Sequence, residues 1–244
     1  MPPEDSTPAA LRLDARSVHD LPAREVPRAP VRRRAKSAPE SAETPIDALD
    51  LPPVDRPFHF TSRIWRLCDD VCKRLPVFRH IDMRQVLVTF VRCRNRQYWG
   101  NQAKLVPLRF RGGAEMERRH GHMYRIQQFF VGETEMKYVL SFYLPRFLNQ
   151  TFEEKMVTVL HELYHIDQEF SGDIRRFAGA HFVHTSSQKE YDRKMAVYVG
   201  DYLNQGPSRR LYDFLHLNFP QLQARYPRIV GVHTPAPKLI PVGR

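Results

Sequence analysis

The alternation of apolar and polar residues predicts where regular structure begins in this chain. Apolar side chains between Ile64 and Leu75 recur three and four positions apart, which predicts an α-helix of about four turns that stops before a proline. Residues 85 to 91 (QVLVTFV) form a short, β-branched and nearly continuous apolar run, as in a buried strand. An irregular edge strand is predicted over residues 105 to 110, because Pro107 cannot donate a hydrogen bond to a neighbouring strand.

The apolar segments that follow predict a hairpin and then a helix. Residues 123 to 131 (MYRIQQFFV) and 137 to 144 (KYVLSFYL) have the composition of strands, and the short glycine-containing segment between them is typical of a hairpin turn. Thr151 and Glu154 have the spacing of a capping box, which predicts a helix that begins there and continues to about Glu169. This helix carries the residues with the clearest chemical meaning.

Two more helices are predicted downstream, and together the elements indicate a fold class. Ser187 and Glu190 form a second capping box at the start of one helix, and a short helix is expected over residues 209 to 217. The pattern favours an α+β fold, in which a small antiparallel or mixed sheet packs against the helix that begins at Thr151 and further helices lie behind it.

Composition divides the chain into three parts. Residues 1 to 57 are rich in Pro and Arg, contain almost no aromatic side chains and show no sustained apolar period, which predicts a disordered N-terminal tail. Residues 58 to 220 are expected to form one folded domain. Residues 221 to 244 are again rich in proline and are predicted to be a C-terminal extension that lies on the surface or frays.

The net charge of +11 raises the question of a nucleic-acid partner. Acidic and basic residues are nearly balanced in residues 1 to 57, so that the positive excess lies in the rest of the chain. Clusters such as Arg109, Arg111, Arg118 and Arg119 are candidates for a surface that faces phosphate groups. The sequence contains no recognisable nucleic-acid motif, and a solvated basic face is the simpler interpretation.

Cysteine content and hydropathy favour the cytoplasm. The three cysteines Cys68, Cys72 and Cys93 match neither a disulfide framework nor a paired Cys-x-x-Cys zinc site. No stretch approaches the roughly 20 apolar residues that cross a bilayer, and the first residues do not follow the order of a secretory signal. We therefore expect a protein that acts in the cytoplasm without a membrane partner.

The sharpest chemical signal is the sequence His161-Glu162-Leu163-Tyr164-His165. Residues four apart project from the same side of a helix, which lets both imidazoles reach one ion. Zinc prefers such nitrogen ligands in a roughly tetrahedral shell, and a hydrolytic site leaves one position for water. Glu162, next to the first histidine, is placed to accept a proton from that water. The motif predicts one Zn²⁺ ion and a hydrolytic reaction.

A third ligand must come from another part of the chain, and four downstream residues are candidates. His184 is favoured because it directly precedes the predicted helix at Ser187 and would be held by a rigid element. His181, Glu190 and Asp173 remain alternatives, and the capping box gives Glu190 a structural role as well. Candidate donors for stabilising an oxyanion are Tyr164, Tyr191, Arg175 and Arg176, and the sequence does not single out one of them.

The motif lies in a longer segment that resembles a known family. Strand-like segments that lead into an H-E-x-x-H helix and a later ligand are the pattern of zincin metallopeptidases. The run HELYHIDQEFSGDIRRFAGAHFVHTSSQKEYD is similar to a zincin-like metallopeptidase family of phage and prokaryotic genomes. The resemblance covers about residues 84 to 203. It implies that His161 and His165 bind zinc, that Glu162 is the catalytic base, and that the third ligand is a histidine after the RRF segment.

The same resemblance carries expectations about the cleft and the substrate. In a zincin arrangement the last strand, here residues 137 to 144, borders the cleft and can pair with an extended peptide. The chain lacks the His-x-x-Gly-x-x-His extension of the metzincins, which argues against that subgroup. The first hypothesis is therefore a zinc metallopeptidase that acts on a protein or peptide. The alternatives are a non-catalytic zinc-containing protein with a basic, nucleic-acid-facing surface, and a hydrolase of non-peptide amides.

Overall fold

The computed structural model describes residues 10–13, 53–93, 100–176 and 188–242, with only the backbone for residues 188–190. Within these ranges the chain forms four α-helices and eleven short β-strands. The helices are α1 Phe60–Arg74, α2 Phe152–Tyr164, α3 Gln188–Asn204 and α4 Phe219–Arg225. The strands are β1 Ala10–Leu13, β2 Phe58–His59, β3 Val86–Arg92, β4 Ala103–Pro107, β5 Met116–Arg119, β6 His122–Ile126, β7 Gln128–Val131, β8 Thr134–Glu135, β9 Tyr138–Leu144, β10 Ile229–Val230 and β11 Leu239–Pro241. The predicted α+β class is confirmed.

A mixed three-stranded sheet forms the centre of the domain. Its strand order is β3-β9-β4, with β3 parallel and β4 antiparallel to β9. The almost continuous apolar sequence of β9 suits this central place, because its alternate side chains enter two hydrophobic clusters, one on each face of the sheet. The strand over residues 137 to 144 was expected to border the cleft, and this expectation is wrong. The edge belongs to β4, which ends at Pro107.

Helices α1 and α2 pack with this sheet in the main hydrophobic core. The capping box of α2 is present: the Thr151 side chain accepts a hydrogen bond from the Glu154 backbone, and the Glu154 carboxylate accepts one from the Thr151 backbone. The helix ends at Tyr164 and not near Glu169 as predicted. Beyond it the chain folds back, and Ile166 forms an antiparallel bridge with Ile174.

The predicted hairpin between residues 123–131 and 137–144 is wrong. The first segment divides at Gln127, so that β6 joins a sheet with β5 and β11 while β7 joins a different sheet with β1 and β8. The backbone of Gln127 donates to the carbonyl of Lys238, which holds the chain at this change of sheet. The tight turn after β7 leads into β8, and β9 then enters the central sheet.

Both chain ends contribute to the described structure. Within the segment predicted to be a disordered tail, β1 pairs in parallel with β7; the other residues of that segment before residue 53 lie outside the description. In the C-terminal segment, β10 pairs with β2, β11 pairs with β6, and Val232 is buried in a second apolar cluster. The short helix expected over residues 209 to 217 is two 3₁₀ turns, Arg209–Leu211 and Asp213–His216. No helix among the described residues has the length and apolarity to cross a membrane.

Candidate metal centre

A cleft of about 970 Å³ lies between the edge strand β4 and the helices α2 and α3. Its walls combine backbone of the edge strand with charged and polar side chains of both helices. The lining residues that carry ionisable side chains are Lys104, Glu153, Glu154, His161, Glu162, His165, Asp192 and Arg193. All three residues of the sequence motif that were assigned chemistry therefore reach the same cleft.

The two motif histidines lie side by side at the C-terminal end of α2. His161 is in the last turn of the helix and His165 is its C-cap residue, with dihedral angles that remain helical. Their ring centroids are 4.7 Å apart and the ring planes are inclined by 76°. Each zinc–nitrogen bond is about 2.0 to 2.1 Å long, so two imidazoles that bind one ion must lie close to each other. The observed separation of the two rings meets this requirement. The donor set and spacing suit zinc.

Glu162 is buried in the wall of the same cleft and is held by the edge strand. Its Oε2 atom accepts a hydrogen bond of 2.7 Å from the backbone N–H of Leu105 in β4. Burial raises the pKa of the Glu162 carboxyl to about 7, while the Leu105 hydrogen bond and the charge of Lys104 act in the opposite direction. A carboxyl group with a pKa near neutrality can both accept and release a proton under ordinary conditions.

Helix α3 supplies two side chains that contact the histidines. The ring centroid of Tyr191 is 4.7 Å from that of His161 and 6.0 Å from that of His165, with which it is stacked at 19°. Oδ1 of Asp192 is 3.8 Å from Nδ1 of His161. The sequence indicates Tyr191 only as one of four candidate oxyanion donors and does not single out Asp192, because nothing local shows which face of α3 packs on α2.

The candidates for a third ligand are only partly visible. Asp173 holds its own loop together: Oδ2 accepts from the backbone N–H of Gly112, and Oδ1 accepts from Ile174 N and Arg176. The favoured His184, and also His181, lie outside the described residues. The backbone of Glu190 is in α3, and its side chain is not described. Among the described residues, no group of three or more His, Cys, Asp or Glu side chains is placed to hold a metal ion.

The loop after α2 is fixed by polar contacts that also hold His165. The hydroxyl of Tyr138 lies 2.7 Å from Oδ1 of Asp167 and accepts a hydrogen bond from the backbone N–H of Gly172. The backbone N–H of Arg175 donates to the carbonyl of His165 over 2.7 Å. The guanidinium of Arg175 lies 4.1 Å above the ring of Tyr164. In this arrangement the loop sets the position of the second histidine.

The basic cluster noted in the sequence is partly neutralised within the protein. Arg109 is almost buried and forms an ion pair of 2.8 Å with Glu135, and Arg119 pairs with Glu117 at 2.6 Å. Arg111 is exposed. A nucleic-acid contact through this surface remains a prediction, with fewer available charges than the sequence alone suggests.

Fold and cleft together define an α+β domain of the zincin-like class. A family model described as "Putative phage metallopeptidase" matches residues 61–191, which is more than half of the chain, and the chain belongs to this family. The match begins in α1, includes the whole of the central sheet and α2, and ends at Tyr191 in α3. No curated protein and no solved structure matches the chain.

Proposed function

We propose that this protein is a zinc-dependent metallopeptidase, with His161 and His165 as metal ligands and Glu162 as the catalytic base. The observation that carries the proposal is the meeting of two adjacent imidazoles and one buried carboxyl group in a single cleft beside a sheet edge. Bound zinc supplies a Lewis acid that lowers the pKa of water and polarises a carbonyl group. The family assignment supports metal-dependent peptidase chemistry.

The residues of the cleft divide the work of hydrolysis between them. The imidazoles of His161 and His165 hold the ion, and the Glu162 carboxylate accepts a proton from the attacking water and returns it to the leaving amine. The hydrogen bond from Leu105 keeps one oxygen of Glu162 in place, which leaves the other for proton transfer. The raised pKa of Glu162 suits a group that must take and give up a proton in each cycle.

The edge strand supports a peptide as the substrate. In an antiparallel pair, alternate residues direct their backbone groups toward the partner strand and the others point outward. Leu105 donates to Glu162 and not to β9, so the outward positions of β4 are Ala103 and Leu105. An extended peptide can pair with the outward backbone groups of this edge other than the Leu105 N–H, which Glu162 occupies, and pass its backbone in front of the proposed metal ligands. Pro107 ends the available edge, since it has no N–H group.

The proposal includes a third ligand and a cellular setting. We assign His184 as the third ligand, with His181 and Glu190 as alternatives, because this segment joins the loop after α2 to the start of α3. Asp173 is less suitable because both of its carboxylate oxygens already accept hydrogen bonds. The three free thiols support action in the reducing cytoplasm.

The test compares the full chain with two glutamine variants. Glu162→Gln keeps the size of the side chain and an acceptor for Leu105 but removes the base, and Glu169→Gln is the matched control at an exposed position outside the cleft. We expect one zinc ion per chain in all three proteins. Hydrolysis of a peptide library is expected to fall roughly 10²- to 10⁴-fold in Glu162→Gln alone, and a chelator should abolish it in the wild type.

Each rival hypothesis predicts a different result in the same experiment. Bound zinc without hydrolysis by the wild type would favour a non-catalytic binding protein. Cleavage restricted to non-peptide amides would favour a hydrolase of that class of substrate. Full activity in Glu162→Gln would refute the assignment of the base.

A further inference from the structure

Helix α3 places a carboxylate beside the first of the proposed metal ligands. Oδ1 of Asp192 is 3.8 Å from Nδ1 of His161, and the Asp192 side chain lines the cleft with 46% of its surface exposed. The preceding residue, Tyr191, packs its ring against both His161 and His165. At this end of α3, Tyr191 therefore packs on both imidazoles, and the Asp192 carboxylate faces that of His161.

The nitrogen that faces Asp192 decides what this contact can do. A neutral imidazole carries its proton on one nitrogen and offers a lone pair on the other, and the hydrogen bond made by the protonated nitrogen selects the tautomer. Histidines that bind metal ions commonly donate their second N–H to a carboxylate, which also fixes the orientation of the ring. With Nδ1 of His161 beside Asp192, Nε2 is the ring nitrogen on the side away from that carboxylate.

We propose that Asp192 is a positioning residue for His161. The inference rests on the proposed function and adds a residue to it. Across 3.8 Å, which is longer than a hydrogen bond, the Asp192 carboxylate favours the tautomer of His161 with its proton on Nδ1, which leaves Nε2 unprotonated, and it restrains the orientation of the ring. The half-exposed carboxylate is partly screened by solvent, so its main effect is on tautomer and orientation and less on charge.

The geometry favours positioning over direct coordination by Asp192. The two nitrogens of an imidazole ring form their bonds in the ring plane and in different directions. A carboxylate that faces Nδ1 therefore lies away from an ion bound at Nε2. In the part of the chain that the structure describes, no third acidic, histidine or cysteine side chain groups with His161 and His165 at distances suited to a metal. Asp192 thus stands beside the ligand pair without joining it.

Zinc affinity measures this role directly. The wild-type chain, Asp192→Ala, Asp192→Asn and the control Asp201→Ala are titrated with zinc in competition with a chromophoric chelator. Asp201 is an exposed aspartate on the same helix, outside the cleft. Asp192→Ala is expected to bind zinc roughly 10- to 100-fold more weakly. Asp192→Asn should lie between, because its amide oxygen keeps a partial negative charge opposite Nδ1 but loses the full charge, and Asp201→Ala should match the wild type.

The absorption spectrum of the cobalt-substituted protein separates positioning from coordination. The intensity of its visible bands depends on the number of ligands, so it should be the same for Asp192→Ala and wild type once both are saturated with Co²⁺. A change to a different coordination number would make Asp192 a ligand and overturn the proposal. Zinc affinities within about twofold of the wild type in both Asp192 variants would also overturn it.

Two controls keep the outcomes distinct. The thermal unfolding midpoints of the metal-free proteins show whether each variant is folded, and Asp192→Asn, which preserves the shape of the side chain, carries the test if Asp192→Ala does not fold. A wild type that binds no zinc would refute the proposed function itself. A wild type that binds zinc as tightly as its Asp192 variants would refute only the role of Asp192.

Discussion

A buried lysine ties helix α2 to the C-terminal part of the domain, and its titration should be visible in the stability of the protein. Lys155 in α2 is only 1% exposed. Its ammonium group donates to the carbonyls of Leu215 and Leu217 over 2.8 and 2.9 Å. Burial lowers the pKa of Lys155 to about 8, although the charge of Glu154 acts in the opposite direction.

The sign of the effect follows from the protons bound in each state. In the unfolded chain the pKa of Lys155 returns to its ordinary value of 10.5. Below pH 8 the group is protonated in both states, and between pH 8 and 10.5 the unfolded chain binds more protons. The free energy of unfolding contributed by Lys155 therefore rises with pH through this window. At about 1.36 kcal/mol per pH unit, the full rise is about 3 kcal/mol.

The assay is urea denaturation of the wild type and Lys155→Met at a series of pH values across this window. The variant lacks the titrating amine, so the wild type should gain about 3 kcal/mol relative to it. Other groups that titrate there, including tyrosines and cysteines, are common to both proteins and cancel in the difference. The variant also leaves two carbonyls without this donor, which costs about 1 to 3 kcal/mol at every pH. A difference that does not change with pH would refute the reasoning.

Two further predictions concern the loop after α2. Gly172→Ala should destabilise the protein by at least about 1 kcal/mol more than Gly121→Ala in urea denaturation. Both glycines have positive φ, but a Cβ at Gly172 would lie 2.5 Å from Cγ of Arg109, whereas no atom lies within 4 Å of a Cβ at Gly121. Equal losses of stability in the two variants would contradict this prediction. Tyr138→Phe should lower the free energy of unfolding by about 1 to 3 kcal/mol, because it removes the hydroxyl that contacts Asp167 and Gly172. An unchanged urea midpoint would show that the hydroxyl does not stabilise the loop.

The parts of the fold that depend on local sequence could be predicted, and the pairing of strands could not. Helix α1 follows from apolar spacing, and α2 begins where Thr151 and Glu154 form their capping box. Strand β9 was recognised as a strand but assigned to the wrong neighbour. Its actual partners are β3 and β4, and β3 lies about 50 residues earlier, with Val86 opposite Tyr138. Composition gives no register between segments so far apart, because pairing is decided by the whole core.

In the candidate site, too, residues on a single helix could be predicted, and residues brought together by the packing of separate elements could not. His161, Glu162 and His165 could be identified together because one helix carries all three. Asp192 could not be found in this way, since its place beside His161 depends on how α3 packs against α2. Asp173 lies close to the motif in sequence, yet the turn of the chain directs its carboxylate into the loop.

The partner that holds Glu162 is a peptide group, and this affects which substitutions the edge strand can accept. Any residue except proline at position 105 carries the same N–H donor, so the identity of that side chain does not decide whether the hydrogen bond forms. The alignment of β4 with β9 does decide it, because a shift of one residue would turn the donor away from Glu162. The Glu162 contact therefore does not depend on the side chain at position 105 where the alignment of the two strands is kept, while the buried side chains of Ala103 and Leu105 are constrained by packing in the core.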